Sequence, residues 1–208
     1  MQKELAVILR DKIKELPFVD VLAGLVLTQS IEEVRDSEGG AGFPVTFRYP
    51  VSSDVLQPEA CESRELALVP DSGRKSIIYF EDFGITSTGG PKSGFTQYNS
   101  SLRLVCWMNR ANLVADAYQH VSGPAIAMIV QRLAHKNPQS IGIFTRLTIE
   151  VARIPEQSAS LFGRYNYRET DRQYLRPPFE FFGIDFTCRY QISARCLDEI
   201  NWNQKSCY

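Results

Sequence analysis

The chain has 208 residues, 44% hydrophobic and 23% charged, with a formal net charge of -1. That is long enough to bury a real core without metals or disulfides, and a charge so balanced gives no global attraction to nucleic acid or an anionic membrane. No apolar run approaches bilayer length, and MQKELAVILRDKIKELPF scatters charges where a signal peptide would carry an unbroken apolar core, so neither a span nor a leader is expected.

Residues 2–16 read as an amphipathic helix, with Leu5, Ile8, Leu9, Ile13 and Leu16 on one stripe and Pro17 as its stop. The apolar run 19–27 leads into an expected strand, 28–34, and SEGGAG marks a loop. Phe43, Val45, Phe47 and Tyr49 alternate, predicting a strand ended by Pro50. Leu66–Val69 is a short strand candidate before Pro70-Asp71-Ser72-Gly73, and 76–83 (SIIYFEDF) is another, followed by a polar loop. In 100–108, Leu102, Leu104 and Cys106 alternate with Arg103, Val105 and Trp107. A helix of about six turns is predicted from Leu113 to His135, capped by Asn112 and kinked by Pro124 near Ser122-Gly123. Phe144–Ile154 alternates again as a strand.

Residues 155–178 are the least core-like part, and Phe179–Ser193 (FEFFGIDFTCRYQIS) is a long late strand, as if closing a sheet already laid down. From Phe182 its residues alternate between one buried and one wetter face. The expected fold is α+β in one domain, 1–208: a mainly antiparallel central sheet, two principal helices packed on one side, and long extended loops at about 50–75, 84–98 and 155–178.

No motif carries a reaction. Neither SEGGAG nor STGGPKSG fits the dinucleotide fingerprint or the phosphate loop, so both read as turns. His120 and His135, expected on one helix, would lie about 22 Å apart and could not share a metal. Cys61, Cys106, Cys188, Cys196 and Cys207 contain no CxxC pair, and Cys106 and Cys188 read as small core hydrophobes, so no disulfide framework and a reduced place of synthesis are expected. Glu81, Asp82 and Asp185 in strand patterns read as solvated or rim positions. Catalytic residues, cofactor ligands and metal ligands are all expected to be none.

The unusual surface feature is Arg164, Arg168, Arg172 and Arg176, spaced by four, with Tyr165, Tyr167 and Tyr174 between them. As a helix this arm would carry one basic ridge, and arginine with tyrosine suits an interface. These seven residues and Lys92 form the expected partner interface. A solvated charged loop, with Glu169 and Asp171 neutralising half the arginines, is the plainer reading.

The element order is an amphipathic helix, strands with a long excursion, SSLRLVCWMN, the helix LVADAYQHVSGPAIAMIVQRLA, FTRLTIEVARI, a long loop and FFGIDFTCRYQIS. It resembles the tail-terminator and head–tail connector (neck) proteins of tailed phages and phage-tail-like contractile machines. The resemblance implies a structural virion protein, made in the host cytoplasm, that forms a six- or twelve-membered ring with itself. It would touch tail tube, sheath or connector proteins, meet DNA only as a passing lumen contact, and have no membrane partner. Two alternatives stand beside it. One is a ligand-binding or enzymatic domain with a pocket around Tyr79, Phe80 and Trp107; the other is a nucleic-acid-binding module on the arm.

Overall fold

The computed structural model describes residues 1–37, 40–56, 66–87, 95–114, 119–168 and 172–193. Helix α1 spans Gln2–Ile13 and α2 spans Ser122–Leu133. The strands are β1 (Val21–Leu25), β2 (Leu27–Ser37), β3 (Gly40–Ser52), β4 (Val55–Leu56), β5 (Leu66–Ala67), β6 (Ser76–Ser87), β7 (Phe95–Asn109), β8 (His135–Ile141), β9 (Phe144–Arg153) and β10 (Phe179–Ser193). The protein is α+β. A seven-stranded sheet runs β4-β1-β6-β7-β10-β9-β8, antiparallel except where β1 lies parallel to β6, and a three-stranded sheet runs β2-β3-β5.

The middle of the large sheet, at β1, β6, β7 and the first half of β10, is buried on both faces. Leu5, Leu9 and Ile13 of α1, spaced by four, and Ala125, Ile129 and Leu133 of α2 pack on one face. There they meet Ile78, Phe80, Leu104, Cys106, Phe182, Ile184 and Phe186. The opposite face presents Ile77, Tyr79, Val105, Trp107 and Phe181, covered by Phe47 and Tyr49 of β3 and by Leu161, Phe162, Tyr165 and Tyr167 of the arm. Because side chains alternate along each strand, every second residue enters a different core.

Several expectations change. β10 closes no edge: it lies between β7 and β9, pairing with β7 without a break from Phe179↔Asn109 to Ser193↔Phe95. Its second face is wet only in the far half, because the arm buries Phe181 and Gly183. Pro50 does not end β3, which runs on to Ser52; its carbonyl accepts the Leu68 N–H at 2.8 Å, on the side away from β2, so its missing N–H removes no rung of that pair.

The expected loop at 84–98 is in part paired strand, with Ile85 opposite Ser100 and Thr86 opposite Asn99. The long helix from Leu113 is also replaced. Residues 110–112 form a 3₁₀ turn, and α2 begins only at Ser122, so Pro124 sits in the first turn, where a missing N–H breaks no helical bond, and kinks nothing. The helix ends at Leu133, and His135 opens strand β8, so the two histidines share no helix.

Candidate functional site

The arm was the sequence's candidate, and the fold folds it down. Among the described residues its helical pieces are short 3₁₀ turns at Ala159–Phe162 and Gln173–Leu175 and one helical bond, from the Arg172 N–H to the Arg168 carbonyl at 3.1 Å. Arg164, Arg168 and Arg172 turn to three different partners. Arg164 donates to the Asp82 carbonyl at 3.0 Å and lays its guanidinium 4.2 Å from the Phe83 ring centre. Arg168 pairs with Glu33 of β2 and lies over Phe47 at 5.8 Å. Arg172 donates to Asn166 Oδ1 at 3.0 Å, and Arg176 is exposed. Lys92 lies outside the described residues, as do Glu169 and Asp171.

The tyrosines part company with the arginines. Tyr165 and Tyr167 are buried, their rings 5.8 Å apart, and Tyr167 also meets Tyr49 at 5.9 Å and Phe162 at 6.0 Å. Tyr174 is half-buried against Phe179, and its carbonyl accepts the Trp107 indole N–H at 2.7 Å. In this chain the tyrosines fasten the arm to the sheet. Tyr79, Phe80 and Trp107 line no common pocket: all three are fully packed, with Phe80 on the helix face and the other two on the arm face.

What the arm covers is a polar row. Glu81 on β6 faces Arg103 on β7, which faces Asp185 on β10, which faces Arg153 on β9, so charge alternates across four strands. Arg103 grips Asp185 with Nε–Oδ1 at 2.5 Å and a second nitrogen on Oδ2 at 3.1 Å. Glu81 is 1% exposed, not at a rim, and Tyr165 Oη donates to its Oε1 at 2.5 Å. Burial pushes its carboxyl above the usual range, outweighing the Tyr165 hydrogen bond and the nearby Arg164 and Arg103, which lower it. Asp82 and Asp185 are half-buried.

A second carboxylate, Glu180, is buried at the other end of β10. Its Oε2 accepts the N–H groups of Val121 and Ser122 at 3.0 and 2.9 Å, and its Oε1 faces His120 Nδ1 at 2.9 Å and Arg110 at 3.4 Å. Beside it, Phe18, Met108, Leu113, His120, Pro124 and Met128 line an open apolar pocket of about 210 Å³. Among the described residues no three His, Cys, Asp or Glu side chains are grouped to hold a metal ion, and no helix is long and apolar enough to cross a membrane.

Among the described residues the most exposed large apolar side chains lie on the β2–β3 hairpin. Leu27 is 68% exposed, Val34 73% and Phe43 51%, with Ile31 between them also exposed. β2 is the edge of its sheet, and the base of the hairpin is anchored by Phe47 and Tyr49 while its outer half overhangs the core. No sequence motif marks the overhang: Leu27, Ile31 and Val34 stand singly among polar residues in LTQSIEEVRDS. No protein-family model matches the chain, and no curated protein matches it.

Proposed function

We propose that this chain is a structural subunit of a phage or phage-like tail, joining copies of itself into a ring that ends the tail tube or links it to the neck. The β2–β3 overhang is the observation that carries the reading. Leu27 and Ile31 of the edge strand β2, with Phe43 of β3 on the same face and Val34 on the other, leave apolar area in water, an arrangement that monomers avoid and that a neighbouring subunit relieves. A ring needs head-to-tail contacts between two different surfaces, and a projecting hairpin on one side of a rigid sheet suits one half of such a contact. On the opposite side of β3 Asn166 pairs with Arg48, and the exposed Arg172, which donates to Asn166, suits the other half. The role is architectural and asks for no cofactor.

The test is mass photometry and negative-stain microscopy of the purified chain, alone and with tail-tube protein. Rings are expected for the wild type. The double variant Val34→Ser, Phe43→Ser should stay monomeric with an unchanged melting transition, because neither side chain is in the core. Wild-type monomers under every condition, tube protein included, would overturn the reading.

A further inference from the structure

Glu81 is the most deeply buried carboxylate described in the chain, and half of it is unsatisfied. Tyr165 Oη donates to Oε1, while Oε2 has no hydrogen-bond partner among the described residues. Each element packed around it supplies a charged or titratable neighbour. Arg103 stands opposite on β7, but its fork is committed to Asp185 of β10. Arg164 of the arm is directed to the Asp82 carbonyl and Phe83. Tyr79, two residues along β6, and Tyr165 and Tyr167 of the arm complete the surroundings, their hydroxyls in electrostatic reach of one another.

An ionised carboxylate that leaves an oxygen buried without a donor bears the desolvation cost of that oxygen. Protonation removes the charge and with it most of that cost, while Tyr165 Oη keeps its bond to Oε1. We propose that Glu81 is a proton-operated latch for residues 155–168. With its carboxyl protonated, Tyr165 and Tyr167 hold the arm down on the sheet; once it ionises, the unpartnered oxygen gains water when the arm lifts, and the arm opens more often.

The sign follows from the raised carboxyl. The closed form binds the proton more tightly than the open or unfolded form, so the stabilisation is complete below the ordinary carboxylate range. It declines as pH rises through that range to the raised value of the closed form, and is constant above it. Opening would also reach the projecting hairpin. Asn166 and Arg48 exchange backbone hydrogen bonds at 3.0 and 3.2 Å, and Asn166 Nδ2 donates to the Thr46 carbonyl at 2.7 Å, so the arm is tied to β3 where the hairpin leaves the core.

Amide hydrogen exchange tests this, with the N–H of Tyr165 (bonded to Phe162 O) and of Asn166 as reporters and Ile184 in the central strand as control. In the wild type, arm protection corrected for intrinsic rate should fall severalfold from acid to neutral pH while Ile184 is unchanged. In Glu81→Gln it should stay flat and high; in Tyr165→Phe, which leaves both carboxylate oxygens without a donor, it should fall further at neutral pH. Wild-type protection independent of pH, or the same pH dependence in Glu81→Gln, would overturn the latch. Should the glutamine variant not fold, a carboxyl-resolved NMR titration of the wild type replaces it: arm protection must follow the Glu81 resonance, and a different midpoint would overturn the proposal.

Discussion

The backbone N–H of Ser122 donates to Glu180 Oε2 at 2.9 Å, across 58 residues of sequence. That bond, with its Val121 partner at 3.0 Å, fixes where α2 begins. No side chain of the helix's own N-terminal segment caps it, so a carboxylate from the central strand takes the orphan donors and meets the positive end of the helix.

Replacing Glu180 by Ala should therefore cost about 2 kcal/mol, a lost cap together with donors left unsatisfied. Burial alone would raise this carboxyl, but the N–H groups of Ser122 and Val121, with His120, hold it below the usual range. A depressed folded value contributes stability above the ordinary carboxylate range and loses it as pH falls through that range to the folded value. Denaturant melts of wild type and Glu180→Gln should converge in acid and separate at neutral pH; parallel curves would remove Glu180 from the account.

Gly183 marks the closest approach between arm and sheet. A Cβ there would lie 2.5 Å from Leu161 Cδ2, 3.2 Å from Pro155 Cγ and 3.4 Å from Arg103 Cδ. Leu161 is itself buried and has little room to retreat. Gly183→Ala should cost about 1–3 kcal/mol in urea unfolding, in the manner of an overpacked core. An unchanged midpoint would mean that the arm gives way freely.

Cys106 and Cys188 are free, buried thiols on the helix face of the sheet. Burial pushes the Cys188 thiol up to about 12 and raises Cys106 as well, so neither supplies thiolate near neutral pH. Site-resolved alkylation of the folded protein should leave both unmodified, with labelling appearing only as the chain unfolds. Rapid labelling of either in native buffer would contradict the burial.

The sequence made legible the elements whose burial is one-sided. Leu102, Leu104 and Cys106, or Leu147, Ile149 and Val151, alternate because one face enters the helix-side core, and the pattern names the strand. β8 was missed for the opposite reason: an exposed edge strand, HKNPQSI, has no burial pattern to show, and its Pro138 is tolerated because an edge need not donate on both sides. The start of α2 was misplaced because its determinant is Glu180, distant in sequence and close only after folding. Tyrosine in the arm was ambiguous in principle, since the same ring with a polar tip suits an interface or an inner layer. The run SIIYF, apolar on both faces, marks a strand with no wet side, but the same strand goes on to half-buried Asp82 and exposed Phe83, so the burial of Glu81 depends on the arm that covers it.

The position of β10 has a consequence for how the chain is made. Its hydrogen-bond partners on either side, β7 and β9, are synthesised before it, yet neither can find its final neighbour until Phe179–Ser193 has emerged. Until then the sheet exists as two separate pieces, β4-β1-β6-β7 and β9-β8, each with a raw inner edge and half a core. Joining them requires pairing across a long sequence separation, a slow class of step that leaves both edges open to other chains meanwhile. Nascent chains stopped anywhere before residue 179 would thus be sticky fragments and not smaller folded proteins. The last strand among the described residues is the one that turns two reactive edges into a single interior.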